Sequence, residues 1–186
     1  MNVVCLVLLM GVSVMGAMSW SAAPDEGQWK PFASAKYHFR VDYPGSWYPS
    51  EVTADILDIT NFHRSRPDES IALRAGGAEI QVTGARSDVR TVYDWIHHDL
   101  PDDASGAGAR QTQIPISKPT PGGCTKLTEV SWRERVAEGA YFAEVSYYCQ
   151  ADGGLYRVFL MNWDGDPNQK SLRDLALKMA MSLKTQ

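Results

Sequence analysis

Gly154-Leu155-Tyr156-Arg157-Val158-Phe159-Leu160-Met161-Asn162-Trp163 holds four apolar side chains in succession, Val158 to Met161. Successive residues of a strand point to opposite faces of a sheet, so an unbroken apolar run asks for cover on both faces. The run therefore predicts an inner strand with a helix layer on each side. The turn Asp152-Gly153-Gly154 joins it to a strand expected over residues 140–150, and residues 124–132 supply a third. Together they predict an antiparallel meander. The fold class expected is α+β, a three-layer α/β/α sandwich around a central antiparallel sheet.

Working outward, Asp166-Pro167 is placed to open a final helix as N-cap and first-turn proline, with Leu172, Leu175, Met179 and Leu183 as its buried stripe. Residues 102–123 are rich in glycine, proline and small polar side chains and read as one long exposed loop. Before it, Val89, Val92, Tyr93, Ile96 and Leu100 recur at helical spacing, with Ser87 or Asp88 at the expected N-cap. Residues 71–74 and 78–83 suggest a short hairpin around Gly76-Gly77, and residues 55–62 a further strand. Tyr37, Phe39, Val41 and Tyr43 alternate with polar residues, the period of a half-buried strand that stops at Pro44-Gly45. Residues 22–36 show no period and read as a lead-in segment, which leaves 37–186 as one domain.

The first charged side chain is Asp25, and the stretch before it reads as an export signal over residues 1–21. Val3 to Met10 forms the apolar core, and Ala17, Ser19 and Ser21 are the small residues that favour cleavage after Ser19 or Ser21. A retained N-terminal anchor is the rival, and only then is a membrane a partner. The expected location is periplasmic or extracellular. The net charge of −4, from 18 basic and 22 acidic residues, disfavours nucleic acid, which asks for a basic stripe. Cys5 leaves with the leader, so Cys124 and Cys149 remain as an even pair and predict a disulfide. If strands 124–132 and 140–150 pair through a loop at 133–140, Cys124 faces Cys149, Trp132 faces Tyr141, Val130 faces Ala143 and Thr128 faces Val145. The same register sets Glu129 against Glu144, an unfavourable like-charge pair.

The segment Tyr37-His38-Phe39-Arg40-Val41-Asp42-Tyr43-Pro44-Gly45-Ser46-Trp47 resembles the opening of PsbP-like domains, an aromatic strand followed by Tyr-Pro-x-x-Trp. The end of the chain is similar to theirs too, with late long strands and Asp166-Pro167-Asn168 leading into a terminal helix. The resemblance covers residues 35–184. It implies an α/β/α sandwich around an antiparallel sheet and non-enzymatic binding to larger partners. Relatives include the extrinsic photosystem II subunit, a nuclear Ran-binding protein and many exported bacterial proteins. The basic docking segments of the photosystem subunit have no match here.

Chemistry-bearing residues have bland readings. Asp164, Asp166 and Asn168 start a calcium-loop pattern, but Gln169 and Leu175 stand where it needs glycine and glutamate, so a strand-to-helix turn accounts for them. His97 and His98 point about 100° apart on a helix and cannot easily share a metal. Asp94 and His98 read as a surface pair, His38 as a polar-face residue and His63 as a loop residue. No nucleophile elbow, H-E-x-x-H or phosphate loop is present, so no catalytic residue, metal or cofactor is assigned. Trp132 and Trp163, at strand ends, are the candidates for an interaction surface. The expected function is a non-enzymatic, protein-binding accessory subunit of an envelope complex, its partner unknown. The alternatives are a small-molecule or lipid carrier and a cryptic hydrolase.

Overall fold

The structure is a computed structural model that describes residues 27–49, 56–64, 76–100 and 109–186. The expected leader and the strand expected over residues 71–74 lie outside the described residues. The elements in chain order are β1 (Trp29–Ser34), β2 (Phe39–Pro44), β3 (Tyr48–Pro49), β4 (Leu57–Thr60), β5 (Ala78–Gly84), α1 (Val92–Asp99), β6 (Arg110–Ile114), β7 (Lys126–Ala137), β8 (Ala140–Ala151), β9 (Gly154–Trp163), α2 (Gln169–Ser182) and β10 (Lys184–Thr185). A main antiparallel sheet has the order β3-β4-β5-β9-β8-β7-β6, and a small one the order β1-β2-β10. The fold is α+β, with helices on both sides of the main sheet.

Strand alternation divides the apolar side chains between two cores. On one face Tyr156, Val158 and Leu160 of β9 and Val145, Tyr147 and Cys149 of β8 meet Leu172, Ala176, Met179 and Ala180 of α2. Phe39 and Val41 of the small sheet join this core, and the Phe39 ring lies edge-on to Tyr156 with centroids 5.5 Å apart. On the opposite face Tyr148, Val130, Trp132 and Phe159 meet Trp95 and Ile96 of α1. The unbroken run at Val158 to Met161 is thus covered on both sides.

Several elements depart from expectation. Trp29–Ser34, read as lead-in, pairs along its length with β2. It is mostly exposed and makes an edge, so its ladder bonds leave no burial period in the sequence. Arg110–Ile114, read as loop, is an edge strand on β7 for the same reason, with polar, exposed side chains. Helix α1 begins after Thr91, not Ser87 or Asp88: the Thr91 hydroxyl accepts from Asp94 N at 3.0 Å and the Asp94 carboxylate accepts from Thr91 N at 3.1 Å. A reciprocal capping box satisfies two helix-start donors at once. Helix α2 begins after Asn168, because Asp166 spends its carboxylate on Asn168 N at 2.7 Å in a turn before the helix. His38 sits in the turn before β2 with φ of 52°, not on a strand face.

The β7–β8 register also differs. Both strands run on to a tight turn at Glu138-Gly139, where Gly139 takes φ of 71°, so the ladder sets Leu127 opposite Cys149, three positions from the register expected. Trp132 then faces Glu144 and Glu129 faces Tyr147, which separates the two glutamates. Cys124 precedes β7 and bonds Cys149, their Cα atoms 5.4 Å apart. The two cysteines pair without being ladder partners.

Candidate binding cleft

Arginine is costly to place in a strand with apolar neighbours unless its charge is met. Arg157 of β9 lies on the α1 face between Leu155 and Phe159, paired across the ladders with Thr83 and Tyr148. Asp99, the last residue of α1, accepts from Arg157 Nη1 and, at 3.0 Å, from the Tyr148 hydroxyl. The guanidinium also lies over Trp95 and Phe159, at 5.8 and 5.4 Å from their ring centroids. Burial first, and then the Asp99 charge, hold the Tyr148 phenol above its usual range, so it stays a donor. This network pins the end of α1 to the sheet. The Arg157 Nε is buried without an acceptor among the described residues.

Beside the network opens a cleft of about 250 Å³. Trp95, Tyr37, Ile56 and Val89 supply its rings and aliphatic walls, while Arg86, His98, Asp99 and Arg157 supply charge and hydrogen bonds. Tyr37 reaches the wall because Gly84 has no side chain: a Cβ there would stand 2.6 Å from the tyrosine ring. Arg86 contacts His98 and also meets Asp88 at 3.2 Å, both on the solvent side.

Polar side chains continue along the same face of the sheet. Asp58 and Glu79 share Arg64, at 3.4 and 2.6 Å, and Gln81 donates to Glu79 at 2.8 Å. Glu144 lies buried opposite Trp132 and Met161. Burial, followed by hydrogen bonding and repulsion from Glu134, pushes its carboxyl up to about 8, against the opposing pull of Arg157. On the α2 face Glu129 takes Arg173 in a two-pronged contact.

The residues singled out from sequence fall elsewhere. Trp132 is 9% exposed and stacks on Phe159 in the core, a correction to its reading as a strand-end surface residue, because β7 runs on to Ala137 and Trp132 falls mid-strand in the core formed with Trp95 and Ile96 of α1. Trp163 is half-buried against Phe142, centroids 4.7 Å apart. Asp94 caps α1 rather than meeting His98, whose partner is Arg86. His97 packs on Tyr93, and His63 on Tyr48. Asp164 pairs with Arg133. Among the described residues no group of three His, Cys, Asp or Glu could hold a metal ion, and no helix is long and apolar enough to cross a membrane. Sequence reasoning missed Arg157, Asp99, Arg86 and Glu144. The lone signal was a charge set among apolar neighbours at 157 and 144.

No protein-family model matches the chain, and no curated protein does. Solved structures do show likenesses. Cyanobacterial PsbP from Synechocystis sp. PCC 6803 is similar over 92% of this chain and 100% of its own, at 12% identity and a TM-score of 0.43. A Pseudomonas aeruginosa protein of unknown function is similar over 82% of this chain and 95% of its own, at 14% identity and a TM-score of 0.42. A Bacteroides thetaiotaomicron protein is similar over 84% of this chain at 14% identity and a TM-score of 0.47, and this chain spans about half, 48%, of its length.

Proposed function

We propose that the chain is an exported, non-enzymatic binding domain, an accessory subunit to a protein partner in the cell envelope. What carries the reading is that the one acid lining the cleft is committed: Asp99 holds both Arg157 and the Tyr148 hydroxyl. Groups so tied shape a recognition surface, whereas a general acid or base must be free to reach a substrate proton. Export is supported by the Cys124–Cys149 bridge, since disulfides persist in oxidising compartments. Of the two tryptophans expected at an interface, Trp163 keeps surface to offer and Trp132 does not.

The test is affinity capture of the mature chain from its native envelope, with mass spectrometry of the chain and of what accompanies it. The expected result is a chain cleaved after Ser19 or Ser21 that retains one partner through salt washing and loses it in Trp163→Ser. A chain that still begins at Met1 in the cytoplasmic fraction overturns the reading. So does catalytic turnover that disappears in Asp99→Asn.

A further inference from the structure

We infer that the cleft between α1 and the β5–β9 edge binds a small organic carboxylate with a flat apolar body. The occupant's charge follows from the walls. Two arginines, Arg86 and Arg157, line the cleft with one acid, Asp99, while Asp88, which meets Arg86, stands outside the lining on the solvent side, so the walls themselves favour an anion over a cation. Each arginine holds donors in reserve. A guanidinium carries five N–H donors; Asp99 takes one from Arg157, whose Nε has no acceptor among the described residues. The Arg86–Asp88 contact is between side chains 58% and 64% exposed, a pairing worth little and readily exchanged for a ligand carboxylate.

The occupant's shape follows from the same walls. Trp95 and Tyr37 offer aromatic surface, and Ile56 and Val89 aliphatic surface, so the part of the ligand beyond its carboxylate is apolar and flat enough to lie along a ring. A volume of about 250 Å³ falls just below the about 300–1,000 Å³ typical of sites for drug-sized ligands, which limits the occupant to a single-ring size. The absence of a Cβ at Gly84 lets Tyr37 lie on the cleft wall, so the backbone serves the same shape.

This inference rests on the reading of the chain as a binding protein, and its test is independent of partner capture. The mature, disulfide-bonded chain is titrated with benzoate, with benzamide as the uncharged isostere and with inorganic phosphate as the bare anion, while amide and indole resonances are followed by NMR. Benzoate is expected to move the Trp95 indole and the Gly84 and Val89 amides along one saturable curve. Arg86→Gln is expected to weaken it at least about tenfold, the scale of a lost charge-assisted bond. Arg133→Gln, an equally exposed arginine outside the cleft, is expected to leave it unchanged. No shift at those three groups overturns the inference, as does benzamide or phosphate binding as tightly as benzoate. An Arg86→Gln chain that is folded by its spectrum yet binds benzoate as before overturns it too. Loss of benzoate binding with the envelope partner still captured removes the ligand alone; benzoate binding without any partner leaves the cleft and removes the accessory role.

Discussion

Glu144 is a carboxyl that the fold prefers protonated. It is buried on the α1 face, its ladder neighbours are Trp132 and Met161, and burial together with Glu134 pushes it up to about 8 from an ordinary 4.5. Arg157 pulls the other way and the Trp132 indole hydrogen bond eases the charged form, but burial outweighs both. The folded chain therefore binds this proton more tightly than the unfolded chain, so Glu144 makes stability fall as pH rises from about 4.5 to about 8, with little change outside that window. Glu144→Gln keeps the shape and removes the titration. It should raise stability at pH 8 by about 1–3 kcal/mol relative to the parent and flatten the fall across the window, read by urea melts at successive pH values. Glu134→Gln should narrow the window from its upper end, since it removes a group that raises Glu144. A parent whose stability is flat between pH 5 and 8 contradicts both expectations.

Elements whose side chains alternate or recur against a core could be read from the sequence, and elements held by backbone bonds alone could not. β9 and β8 appeared with nearly their observed limits, since Val158, Leu160, Val145 and Tyr147 are buried at fixed period. The edges β1 and β6 bury little, so nothing in their side chains marked them. The helix stripes were legible for the same reason as the inner strands, but their starts were not: Thr91 and Ser87 are both good caps, and only the reciprocal partner at Asp94 selects the former. Thr91→Ala should cost about 1 kcal/mol and speed hydrogen exchange in the first turn of α1. Thr91→Ser should retain most of both. The cleft rests on this helix start as well as its end, because Trp95 N donates to Thr91 O at 3.1 Å in the turn that sets the indole against Tyr148. A Thr91→Ala chain with unchanged exchange at α1 would show that Asp99 and Trp95 alone fix the helix.

At the scale of the whole molecule the two sheets and α2 meet around Cys124. The bridge to Cys149 fixes the stretch leading into β7 onto the middle of the main sheet. Just before it Gly123 pairs with Lys184 of β10, and Gly122 O accepts from Thr185 N at 2.8 Å. β10 in turn lies along β2, with Lys184 opposite Arg40 and Thr185 opposite Phe39, so these few residues add a backbone tie to the packing of Phe39 and Val41 on the main core. The pairing of the cysteines was legible once Cys5 was set aside with the expected leader, but its geometry was not, because the ladder lies three positions from the expected register, with β7 and β8 extended to the Gly139 turn. The slip is physically reasonable: it keeps Glu129 and Glu144 apart and leaves Glu129 on the α2 face, where Arg173 reaches it. A bridge spanning 25 residues restricts the unfolded chain enough to stabilise by about 3 kcal/mol. Replacing both cysteines with alanine, or reducing the bridge, should therefore lower the melting temperature by several degrees. Position predicts more than a uniform loss. Hydrogen exchange should accelerate first at Thr185 and along β2, whose anchor runs through Gly122 and Gly123, while β9, paired on both edges, keeps its protection until global unfolding. Equal acceleration in β2 and β9 would mean the bridge acts only on the unfolded chain, and unchanged stability on reduction would remove its structural role altogether.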